Sequence, residues 1–210
     1  MPKNCCPKLK GVNLHHNSEQ IRSFIAIELP QNVKNELTQL EDELESPDHR
    51  FVKWVNPRAI HLTLKFLGNV PLKQIPEISN AIERASKGIP PLHLQIASLG
   101  VFPNANRPRV LWVGIKGETD SLQGLQRKID SALVSLGFTE EKRPFTPHLT
   151  LARVREGASI IDRKGFGELV MSINFESKHP ISVEALNLIK SQLTPEGAIY
   201  TCLLTVKLQA

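Results

Sequence analysis

His61-Leu62-Thr63-Leu64 returns further along the chain as His148-Leu149-Thr150-Leu151. In an extended strand alternate side chains share a face, so each copy presents an imidazole and a hydroxyl about 6 to 7 Å apart on one side. The two leucines of each copy point the other way, towards a core. One such cradle says little, because a strand histidine beside apolar residues is more often a hydrogen-bonded structural residue. Recurrence of the hydroxyl partner reverses that weighting. Two such strands facing each other across a cleft bring two titratable bases and two hydroxyl donors around one point, which suits a phosphate. Imidazole titrates near neutrality, so one ring can be neutral while the other is protonated, as acid–base hydrolysis requires. Neither tetrapeptide holds Asp, Glu or Cys at a chelating interval, so neither a metal nor a cofactor is expected.

Outward from the repeat, residues 60–67 read as a strand stopped by Gly68-Asn69, and residues 148–154 as another. Strict alternation puts Lys65 on the face of His61 and Thr63, either adding positive charge near a phosphate or standing as a solvated rim residue. The same alternation puts Phe66 on the leucine face, a core position, and sets Arg153 opposite His148 unless a twist at the strand end redirects it. A salt bridge is the other reading of Arg153. Trp54 and Trp112 also read as core.

Residues 22–29 form a strand candidate ended by Pro30, followed by Val33, Leu37, Leu40 and Leu44 at helical spacing. Ile75, Ile78, Ile82 and Ala85 mark a second helix, and residues 92–97 and 109–115 two strands around a proline-containing loop. Thr119 and Asp120 offer an N-cap for a helix with Leu122, Leu125, Ile129, Leu133 and Leu136 inward, stopped at Gly137. Residues 166–176, 181–190 and 199–208 read as three further strands. Strands and helices mixed without regular βαβ alternation predict an α+β fold with mainly antiparallel sheets.

A chain of 210 residues that is 40% hydrophobic and 22% charged suits one compact unit, and a net charge of +5 leans towards an anionic partner such as a nucleotide or RNA end. Cys5, Cys6 and Cys202 supply no disulfide framework, no apolar run reaches eighteen residues, and the first twenty residues lack the apolar core of a secretory signal. A cytoplasmic, non-membrane monomer with no obligatory protein partner is expected. Residues 1–20, without periodicity, are expected to form a disordered tail ahead of a single domain at 21–210. The tail holds Cys5-Cys6 and His15-His16, but adjacent cysteines chelate one tetrahedral ion poorly.

The chain resembles the 2H phosphoesterase superfamily, named for two His-x-Thr/Ser motifs, and within it the LigT-like RNA 2′,3′-cyclic phosphodiesterases. The resemblance is carried by Arg22-Ser23-Phe24-Ile25-Ala26-Ile27, by Val52-Lys53-Trp54-Val55 and by His61-Leu62-Thr63-Leu64-Lys65-Phe66-Leu67-Gly68. Pro108-Arg109-Val110-Leu111-Trp112 and Arg143-Pro144-Phe145-Thr146-Pro147-His148-Leu149-Thr150-Leu151-Ala152-Arg153 extend it. It implies a bilobal, pseudo-two-fold α+β fold with one motif per lobe facing a central groove. It also implies hydrolysis of 2′,3′-cyclic phosphates on RNA ends or nucleotides to 2′-phosphomonoesters, with His148 as general base and His61 as general acid. Thr63 and Thr150 would bind the phosphate oxygens, and Arg153 matches a family arginine near the phosphate. The resemblance also implies 2′–5′ RNA ligation as a companion activity; the competing readings are a nucleotide-binding module without turnover and hydrolysis of another cyclic phosphate.

Overall fold

The computed structural model describes residues 19–195 and 197–210. The expected tail, with Cys5-Cys6 and His15-His16, lies outside the described residues apart from its last two positions. Those two already belong to the fold: Gln20 pairs with Pro71, and the Glu19 carbonyl accepts from Leu72 N at 3.0 Å.

The described residues form nine strands and four α-helices: β1 (Gln20–Glu28), α1 (Gln31–Leu44), β2 (Val52–Trp54), β3 (His61–Pro71), α2 (Ile75–Ser86), β4 (Leu92–Phe102), β5 (Val110–Gly117), α3 (Thr119–Val134), β6 (His148–Val154), α4 (Ile160–Ser172), β7 (Glu176–Val183), β8 (Ala185–Leu193) and β9 (Ala198–Lys207). The first sheet has the order β3-β1-β8-β9 and the second β2-β6-β5-β4-β7, with every strand pair antiparallel. The fold is α+β and bilobal, as expected.

Local sequence accounts for most helix bounds. Pro30 is extended, so α1 begins just after it and buries Val33, Leu37, Leu40 and Leu44. Gly137 takes φ 89° just past α3, a left-handed turn that an L side chain resists. Three expectations need correction. Residues 181–190, expected as one strand, are the end of β7 in the second sheet and the start of β8 in the first, parted at Glu184. The N-cap of α3 is Glu118, without a side-chain cap bond, and Thr119 is already helical. Residues 166–172, expected as strand, belong to α4, whose start is fixed by a capping box: Ser159 Oγ accepts from Asp162 N while the Asp162 carboxylate accepts from Ser159 N. The sheet resumes only at Glu176. Phe166 and Val170, which read as strand apolars, are a turn apart on the helix and both are buried.

The internal repeat is written in the strand register. In the first sheet Ala26 faces Thr63 and Glu28 faces His61; in the second Trp112 faces Thr150 and Gly114 faces His148. Thus β1 and β3 are to one sheet what β5 and β6 are to the other. Helices α1 and α4 pack against β7 and β4 of the second sheet, while α2 and α3 pack on each other and reach β9 and β3 of the first. One continuous core joins the lobes, with Ile25, Leu62, Leu111 and Leu149 all buried in it. The motif strands β3 and β6 approach each other where the sheets meet, their leucines buried in the core and His61, Thr63, His148 and Thr150 on the opposite, half-buried face, here termed the groove face.

Candidate active site

A short tether brings the two motifs together. β2 pairs with β6, and Val55 N donates to the Leu151 carbonyl at 2.8 Å. From there a single 3₁₀ turn, Pro57–Ala59, leads into His61 at the head of β3, so the chain leaves the second motif's neighbour and enters the first motif within a few residues.

Both rings are held in the same way. His61 Nδ1 lies 2.8 Å from the Ala59 carbonyl and His148 Nδ1 lies 2.7 Å from the Thr146 carbonyl, each two residues back. A carbonyl only accepts, so Nδ1 carries hydrogen and Nε2 is the nitrogen free to exchange a proton. Each ring also has two aromatic walls. Phe24 stacks on His61 at 4.5 Å and 24°, with Tyr200 edge-on at 5.1 Å. Phe102 meets His148 edge-on at 5.1 Å, and Trp112 stands 6.4 Å away. Trp112 can lie flat on the sheet because its neighbour is Gly100, where a Cβ would stand 2.2 Å from the indole. Trp112 was expected in the core; it is a groove residue instead.

Burial holds the His61 pKa below its ordinary 6.5, and Lys34 adds to this, against the opposing pull of the Ala59 carbonyl and Glu28. Burial raises the Tyr200 phenol, while Arg153 and Arg22 pull it down. Since Tyr200 belongs to β9 and Arg153 to β6, that coupling links the two lobes across the groove. Thr63 and Thr150 are half-buried, each on the face of its histidine.

Past each threonine the strand slips by one residue. Between Thr63 and Lys65 the pairing of β3 skips Leu64, and between Thr150 and Ala152 the pairing of β6 skips Leu151. Each is a β-bulge, and a bulge reverses the face of everything beyond it. Strict alternation therefore fails at three positions. Arg153 falls on the groove face with His148 and Thr150, exposed, and forms no ion pair among the described residues. Phe66, expected in the core, is 69% exposed, paired with Phe24 on the groove face. Lys65 turns away from His61 and Thr63: its ammonium binds Asp130 on α3 and donates to the Thr139 carbonyl at 2.9 Å. Its side chain is 8% exposed, neither a rim residue nor free to meet a phosphate.

Sequence reasoning missed Phe24, Phe102 and Tyr200 as walls of the site. Phe24 carries a period-2 signal within residues 22–29, but nothing local says which ring it faces. Among the described residues, no group of three or more His, Cys, Asp or Glu side chains is arranged to hold a metal ion. No described helix is long and apolar enough to cross a membrane.

Two antiparallel sheets, each carrying one His-x-Thr cradle onto a shared groove, have the architecture of the two-histidine phosphoesterases. The chain belongs to the LigT like Phosphoesterase family, which matches it twice, over residues 27–112 and 113–200, one tetrapeptide in each. It is 34% identical to the RNA 2′,3′-cyclic phosphodiesterase of Methanothermobacter thermautotrophicus, covering 87% of this chain and 96% of that protein. It is also 34% identical to that of Methanocaldococcus jannaschii, covering 86% and 96%. Among solved structures, E. coli LigT complexed with 3′-AMP superposes with a TM-score of 0.73 at 25% identity, covering 91% of this chain and all of the other.

Proposed function

We propose that this chain hydrolyses 2′,3′-cyclic phosphates at RNA ends or on nucleotides to 2′-phosphomonoesters, without a metal, working as a monomer. The observation that carries the reading is the identical treatment of both rings, each with Nδ1 pinned to a carbonyl two residues back and Nε2 left free. The names of the relatives supply the substrate class. Neutral His148 takes a proton from water as the water oxygen bonds to phosphorus. The P–O3′ bond breaks in line, and protonated His61 gives its proton to O3′. The product carries the phosphate on O2′, and solvent exchange resets both rings.

Thr63 and Thr150 donate to the non-bridging oxygens and hold phosphorus between the rings, while Arg153 balances the charge that builds on them. Burial, with Lys34 beside it, favours neutral His61. A phosphate anion beside the ring favours the imidazolium, so substrate prepares its own acid.

The test is turnover of a 2′,3′-cyclic nucleotide in excess chelator, with product identification. A 2′-phosphate product and a bell-shaped pH profile are expected, with losses of about 10² to 10⁴ in kcat for His61→Ala and for His148→Ala. Activity abolished by chelator sinks the metal-free mechanism. Binding without turnover sinks the enzymatic reading.

A further inference from the structure

The chemistry at one phosphate uses one arginine, yet more positive charge stands along the same strand pair. The bulge at Leu151 puts Arg153 on the groove face, and the β2–β6 register sets Lys53 directly opposite it. Both are exposed, and neither is ion-paired among the described residues. Like charges directly opposite on neighbouring strands repel, so this pair is destabilising until an anion joins it. A lysine alone on an edge strand can serve simply to guard the edge. That purpose does not explain an arginine facing it. One step further, Arg155 N donates to the Phe51 carbonyl at 2.8 Å, prolonging the pairing, and Arg155 lines a cleft with His49, Arg50 and Glu45. Arg153, Lys53, Arg155 and Arg50 thus follow one another away from His148, with Glu45 a carboxylate lining the cleft beside Arg50 and Arg155. Same-face positions on a strand repeat every 6 to 7 Å or so, a step comparable to that between phosphates of an extended single strand.

We infer that the β2–β6 edge is a track for the phosphodiester backbone on the 5′ side of the reacting end, which makes an oligonucleotide a better substrate than a cyclic mononucleotide. The inference rests on the function proposed above. Lys53 and Arg155 bind the phosphates next to the one that reacts and take no part in its opening. Their contribution is electrostatic and therefore falls with salt.

Lys53→Gln, Arg155→Gln and the double variant are compared with the unaltered protein on two substrates over a range of KCl. One is a 2′,3′-cyclic mononucleotide; the other is an RNA of about six nucleotides ending in the same cyclic phosphate. The unaltered protein is expected to show the higher kcat/KM on the RNA, an advantage that shrinks with salt. The double variant should lose about tenfold on the RNA at low salt, lower the log–log salt slope by about 1.4, and keep its rate on the mononucleotide. Lys53→Arg should retain the advantage. Equal kcat/KM on the two substrates, or variants that change both alike or neither, overturns the track. Fluorescence anisotropy with the same RNA ending in a 3′-phosphate separates the two readings. If neither cyclic substrate is opened, the proposed function fails, and the track then stands or falls on whether salt-dependent RNA binding is lost in the double variant.

Discussion

A carbonyl two residues upstream decides which nitrogen of each ring can work, and the surroundings of the ring decide its charge. His61 is the more constrained of the two, stacked on Phe24 and held below its ordinary pKa mainly by burial. The consequence for stability has a definite sign. Unfolded His61 takes up a proton as pH falls through 6.5, whereas folded His61 resists until lower pH, so the unfolded state binds more protons in between and folding weakens as pH falls. The drop in Tm between pH 7.5 and pH 5 should be smaller in His61→Gln than in the unaltered protein; an equal drop would place the proton uptake elsewhere. At this scale the sequence was highly legible. The repeat named His61, Thr63, His148 and Thr150, and the structure gives both rings the same carbonyl anchor.

Strands carry the next level of decision, and here two bulges matter more than any single side chain. By skipping Leu64 and Leu151 they exchange the faces of Lys65 and Phe66 and bring Arg153 to the groove. A tetrapeptide cannot announce this, because a bulge is a property of the pairing with β1 or β5 and not of the strand's own residues. Gly100 is the clearest dependency of one element on another. Gly100→Ala sets a Cβ into the Trp112 ring, so the indole beside His148 must move; a loss of about 1–3 kcal/mol in urea unfolding is expected, together with reduced turnover. In α1, Glu41 sits on the buried face with Oε1 unpartnered, and burial, aided by Asp42 and Glu45, pushes its pKa up to about 8. The folded state therefore holds a proton that the unfolded state releases above pH 4.5, and stability falls as pH rises towards 8. Glu41→Leu should remove that slope and raise Tm most at pH 8. A Tm gain independent of pH would contradict the assignment.

Across the whole molecule the chain passes repeatedly between lobes: β1 and β3 lie in one sheet, β2 and β4 to β7 in the other, and β8 and β9 return to the first. Within the first lobe, the buried pair of Lys65 with Asp130 ties β3 to α3. The Asp130 carboxylate also accepts from Glu141 N at 2.8 Å, in the segment that runs on to His148. Lys65→Met strands that buried carboxylate, and unfolding measurements should register a loss of about 3–5 kcal/mol. Turnover of a cyclic mononucleotide by the folded variant should change little. A large fall in kcat with stability intact would return Lys65 to the phosphate.

Sequence alone determined the α+β class, the positions of most strands and helices, and the four residues of the paired cradles, because periodicity and an exact internal repeat are properties of local chain geometry. Tertiary structure alone decided which way Lys65, Phe66 and Arg153 point and which aromatic rings enclose the histidines. Those outcomes depend on how one strand slips against its neighbour and on which strands meet, and both are set by residues distant in the chain.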